Sequence, residues 1–163
     1  MEHVQEFESA ARAVGAEVVH LDRESLDAGV SSYLQDLRVQ SISVDSGRVR
    51  LDDFERAEPA TADCGVTDVA WGIASTGTLA ILMNAGNRRA TSLLPPVHVA
   101  LLDKETLLAD LGSALRHMHE NLMKSDDRPS SVVFVTGPSR TADIELELIV
   151  GVHGPCALHV ALF

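Results

Sequence analysis

The residues best suited to chemistry form one run, Gly137-Pro138-Ser139-Arg140-Thr141-Ala142-Asp143. It follows an apolar stretch at 132–135 and is expected to lead into a helix. Free backbone N–H groups at such a turn favour an anion, as does the helix dipole, and arginine grips carboxylate or phosphate through paired N–H bonds. Gly137, Ser139, Arg140 and Thr141 are therefore candidate anion-binding residues. In the plainer reading Ser139 and Thr141 cap the helix while Arg140 pairs with Asp143 or Glu145. Thr76-Gly77-Thr78 is a candidate second wall of the same pocket, because glycine lets a ligand approach the backbone closely. Gly77 also suits a simple turn between strands. Arg88 and Arg89 could close over an anion, but an exposed, solvated pair is the expected reading.

Three residues are candidates for proton transfer. His98 sits in an apolar run after Pro95-Pro96, and His153 in a glycine–proline turn; histidine titrates near neutral pH. A hydrogen-bonded structural histidine is the commoner case for each. Asp143 shares a helix face with Glu147 and adjoins the anion turn, so it is the carboxylate best placed for acid–base work. His153, Cys156 and His159 have metal-like spacing but lack a fourth ligand, so no metal site is expected. His117 and His119 are expected at the surface.

These side chains must be held by something, and the hydrophobic pattern says by what. Helices are expected over 3–14, ended by Gly15, and over 24–37; strands are expected at 17–21, 39–44, 97–102, 132–135 and 157–162. The Ser75–Thr78 cluster should turn the chain between two buried strands. Asp103 is expected to cap a long core helix bearing Leu107, Leu108, Leu111, Leu115, Met118 and Leu122 on one stripe. The run 143–148 alternates with period two, yet caps at Ser139 and Thr141 and a stop at Gly151 favour a helix there. Residues 48–63 have no clear pattern. Strands separated by helical segments indicate an α/β fold, a mostly parallel sheet with helices on both faces, in which ligands gather outside the carboxyl ends of strands.

Composition excludes several classes of function. The chain has 163 residues, 45% of them hydrophobic, which suits one domain over 1–163. Its formal net charge of −11 argues against nucleic acid and against anionic lipid, and 4% aromatic content leaves few stacking platforms. Most of the acidity lies in residues 1–65, with 14 acids against 6 bases; residues 66–163, which hold every motif above, have 10 against 7. Cys64 and Cys156 make no disulfide framework and cannot hold an iron–sulfur cluster alone; buried, reduced thiols in the cytoplasm are expected. The N-terminus lacks a signal-peptide pattern, and polar residues interrupt the uncharged stretch 69–87, so no membrane insertion is expected. No Gly-x-Gly-x-x-Gly run occurs, so dinucleotide binding is unsupported and the cofactor is left open.

The order of several motifs carries a resemblance. Gly65-Val66-Thr67, Ser75-Thr76-Gly77-Thr78-Leu79, Leu94-Pro95-Pro96-Val97-His98-Val99, Gly137 to Glu145 and Gly151-Val152-His153-Gly154-Pro155 resemble the LUD-domain family, in its lactate utilization protein C (LutC/YkgG) group. The match covers about 63–163; the first sixty residues agree only in general character. The resemblance implies a fold similar to the NagB/RpiA/CoA-transferase group. It also implies a role in oxidising L-lactate to pyruvate alongside iron–sulfur partner proteins. Ser75 stands where the family commonly has Glu, so no general base is placed there. Two other functions compete: a stand-alone enzyme acting on a phosphorylated metabolite or CoA ester, and an adaptor subunit without an active site.

Overall fold

The computed structural model describes residues 2–83, 89–122, 128–142, 148–150 and 154–163. Helix α1 (Glu2–Ala13) buries Phe7 and Ala11 completely and ends at Gly15, whose φ of 89° only glycine adopts readily. Strand β1 (Glu17–His20) follows, then a 3-10 turn over Arg23–Ser25 and helix α2 (Leu26–Asp36), which buries Leu26, Val30 and Leu34. Next come β2 (Ser41–Asp45), β3 (Glu55–Arg56), β4 (Cys64–Asp68), β5 (Trp71–Ile73) and β6 (Thr78–Met83). They lead to α3 (Arg89–Leu93), β7 (Val97–Leu102), β8 (Leu107–Leu108) and α4 (Leu111–Asn121). The chain closes with β9 (Ser131–Val135), β10 (Arg140–Ala142), β11 (Leu148–Val150) and β12 (Ala157–Leu162).

Six strands form a fully parallel sheet in the order β1-β12-β7-β4-β2-β3. Side chains alternate across it, so both faces are apolar and the central strands read as unbroken hydrophobic runs. Val66, Val99, Leu101 and Ala161 pack on one face against Leu26, Val30 and Leu34 of α2. Ala100, Leu102, Val160 and Leu162 pack on the other against Phe7 and Ala11 of α1 and Leu79 of β6. A second sheet, β8-β5-β6-β9, lies on that side, and Trp71, Ile73 and Ala80 of its outer surface meet Ala114 of α4. The architecture is the α/β arrangement expected, with helices on both sides of a mostly parallel sheet.

Three local expectations fail. Asp103 caps only the 3-10 turn Lys104–Thr106, and the chain then extends through β8 to pair with β5. The helix starts about two turns later than expected, where the Asp110 side chain accepts the Ser113 N–H at 2.7 Å. Leu107 and Leu108 fit a helical stripe, but Ile73 and Ala74 give their backbone a sheet edge to pair with. Nor is α4 wholly core: Leu111 and Leu115 are exposed. After Gly137 the described ends of the expected helix are strands, with Arg140 opposite Val150 and Ala142 opposite Leu148 in an antiparallel pair. The alternating run itself, over 143–147, lies outside the described residues. Finally, Cys64 is buried but Cys156 is exposed.

Candidate functional site

A cleft of about 370 Å³ lies between α3, the first residues of β7 and β12, and the segment leaving β9. Besides Arg89, it brings together four of the residues singled out from sequence: His98, Gly137, Ser139 and Arg140. Arg89, Ser92, Thr136, Gly154, Pro155 and Leu158 complete its polar rim and floor, with Val133 and Val135 on one wall. Among the described lining residues Arg89 and Arg140 are cationic and none is acidic. That is a local field suited to an anion within a protein of opposite overall charge.

His98 forms part of the floor. It is 1% exposed, and its Nε2 lies 2.9 Å from Thr67 Oγ1. Burial pushes the imidazole down to about 4, reinforced by His159 nearby, so it is neutral at physiological pH. Its Nδ1 is buried and has no hydrogen-bond partner among the described residues. A neutral ring with one nitrogen committed and one unmet can donate to or accept from an uncharged group of a ligand.

The turn that carries Arg140 is fixed by close backbone contacts. Gly137 has φ 75°, and a Cβ there would stand 2.4 Å from the Val14 carbonyl oxygen. The Ser139 N–H donates to the Pro155 carbonyl at 2.9 Å, tying the turn to the segment before β12. Arg140 Nη2 donates to the Val14 carbonyl at 2.7 Å, at the C-terminal end of α1. The turn is followed by a strand, so it opens no helix N-terminus, and its cations must do the work assigned to that positive end.

Thr76-Gly77-Thr78 takes a different place. It does not line this cleft; Gly77, with φ 63°, lies against α1, where an added Cβ would be 2.3 Å from the Ala11 nitrogen. The link to the cleft is a hydroxyl chain, Thr76 Oγ1 to Thr78 Oγ1 at 2.7 Å and Thr78 Oγ1 to Thr136 Oγ1 at 2.9 Å. Thr141 lies on β10, and Asp143, His153 and Arg88 fall outside the described residues. His159, the last member of the metal-like spacing, is held by Tyr33 at 2.9 Å and Glu17 at 3.3 Å.

A larger concavity, about 490 Å³, sits at the carboxyl edge of the six-stranded sheet, where parallel sheets usually bind ligands. Its cations are committed. Arg23 pairs with Asp103, Arg48 lies 3.8 Å from Asp68 and 3.9 Å from Asp103, and both guanidinium groups stack on the Phe163 ring. Glu24 and Asp27 also line it, which cancels the positive field. The smaller cleft is the better anion site.

The family model of the LUD domain matches residues 27–163. This chain belongs to that family. The LUD region contains every described residue lining the cleft, whereas α1, on which the Gly77 and Gly137 turns rest, precedes it. Similar relatives include two proteins named lactate utilization protein C. That of Halalkalibacterium halodurans is 38% identical over 78% of this chain and 53% of its own length. That of Shouchella clausii is 37% identical over 82% of this chain and 56% of its own. The chain therefore spans about half the length of these relatives. The fold of a DUF162 family protein from Deinococcus radiodurans superposes with a TM-score of 0.72, covering 99% of this chain and 96% of that one at 23% identity. No helix among the described residues is long and apolar enough to cross a membrane.

Within the LUD region, sequence reasoning missed Ser92, Thr136 and Leu158, whereas Arg89, expected to be exposed, is exposed and also lines the cleft. One signal was readable. A glycine inside a strand marks a close backbone approach, and a Cβ on Gly65 would be 1.9 Å from the Thr91 carbonyl oxygen. That contact seats α3 on β4 and so places Arg89 and Ser92 at the cleft.

Proposed function

We propose that this chain is a cytoplasmic component of L-lactate utilization that binds a small anion in the cleft and works with iron–sulfur partner proteins in oxidising L-lactate to pyruvate. The kinship with proteins named lactate utilization protein C supports the pathway. The observation that carries the ligand is the cleft itself, which exposed Arg140 and Arg89 line together with buried His98, whose Nδ1 is unmet, and with no carboxylate among the described lining residues. In this reading Arg140 grips the carboxylate through paired N–H bonds and neutral His98 meets an uncharged oxygen of the ligand. His98 then orients rather than protonates, because its imidazole stays neutral at working pH.

Two measurements test the proposal. In the native host, deletion of the gene should abolish growth on L-lactate, restored by the wild-type gene and not by Arg140→Gln; normal growth of the deletion strain defeats the pathway assignment. With purified protein, small monocarboxylates from L-lactate and pyruvate up to six-carbon 2-oxo acids should include one that perturbs the His98 ring and Arg side-chain NMR signals saturably. Silence of both signals defeats the ligand assignment.

A further inference from the structure

We infer that the anion held in this cleft is longer than a three-carbon acid and lies with its charge at the mouth and an uncharged, largely aliphatic body inside. The inference rests on the reading of the cleft as an anion site and adds the class and orientation of the ligand.

Exposure orders the cleft from rim to floor. Arg89, Thr136 and Arg140 are exposed, Val133 and Val135 are half-buried, and Ser92, His98 and Leu158 are buried. Both described cations therefore stand at the rim. A carboxylate pushed to the floor would leave water for a site whose nearest ring resists protonation, and an uncompensated buried charge is costly. A carboxylate at the rim keeps part of its solvation and gains the guanidinium groups. The floor offers the ligand what an uncharged body uses, apolar contact with Leu158 and the valines, beside the buried, neutral ring of His98.

Size points the same way. Even allowing each heavy atom the roughly 30 Å³ that a water molecule takes in the liquid, an acid of six heavy atoms fills only about half of a 370 Å³ cleft. That volume falls within the usual range of sites that enclose a larger small molecule, about 300 to 1,000 Å³. The ligand class is a monocarboxylate of more than three carbons with an uncharged, largely aliphatic body.

The test is a titration of the full chain with 2-oxo acids of three, four, five and six carbons, followed by NMR and calorimetry. Affinity should rise about fourfold with each added methylene until the cleft is full, and nuclear Overhauser contacts should join the terminal methyl to Leu158 and the His98 ring. Arg140→Gln should weaken every member by a similar factor and leave the dependence on chain length intact. Flat or falling affinity along the series, or Overhauser contacts confined to the rim, overturns the inference while the anion site stands. Failure of every member to bind overturns the anion site as well.

Discussion

The Arg140 guanidinium donates to the Val14 carbonyl at 2.7 Å, so the C-terminal end of α1 aims the cleft's cation from outside the LUD region. The carbonyls that end a helix carry partial negative charge and favour a cation there. Gly15 makes the contact possible, since a Cβ would stand 2.1 Å from Arg140 Nη2. Gly15→Ala is therefore expected to push the guanidinium aside and weaken anion binding about tenfold. In an Arg140→Gln background the same substitution should cost no further affinity. A double-mutant cycle of binding constants checks this, and additive losses would show that Gly15 does not act through Arg140.

Gly77→Ala should act on stability instead. The new methyl would meet the backbone of Ala10 and Ala11 at 2.3 to 2.7 Å, and φ 63° is strained for alanine. Backbone cannot swing away as a side chain can, so a loss of about 2 kcal/mol or more is expected. Denaturant unfolding measures it; a loss under about 0.5 kcal/mol would mean that α1 does not pack on this turn.

Much of this molecule was legible because its signals were local. The unbroken apolar runs at 97–102 and 157–162 fit strands buried on both faces, and those segments are adjacent in the parallel sheet. The stripe through Leu107 and Leu108 misled because a short edge strand and a helix turn bury the same residues; only the pairing with β5 distinguishes them. The cleft was half legible. The turn at Gly137 and the histidine at 98 each stood out, but their meeting depends on β12 lying beside β7, a tertiary fact that no spacing carries. Thr76-Gly77-Thr78 looked like a ligand wall for the reason that makes glycine useful anywhere, close approach, and here the approaching chain is α1.

The two thiols should be told apart by reagent. Burial pushes the Cys64 thiol up to about 12, whereas Cys156 is exposed. Thiolate is the reactive form, so the folded protein should titrate one thiol rapidly with Ellman's reagent and two after denaturation. Cys156→Ser should abolish the fast phase. A fast phase that survives this substitution would place Cys64 in contact with solvent.

Stability should depend on pH through His98. The folded imidazole titrates near 4, while in the unfolded chain it titrates near 6.5. Between those values the unfolded chain binds a proton that the folded chain does not, so stability is complete above pH 6.5 and falls as the pH drops towards 4. The gap corresponds to at most about 3 kcal/mol. His159, lowered by burial against the opposing pull of Glu17, adds in the same direction. Carboxylates titrate in part of this range too, so the measurement is a comparison: urea unfolding of the wild type and His98→Gln at pH 7, 6, 5 and 4.5. The wild type should lose more stability on acidification than the variant, with the difference opening below pH 6.5. Parallel curves would mean that the ring takes up its proton in the folded state as readily as in the unfolded one, and would remove the basis for treating His98 as a neutral group at the floor of the cleft.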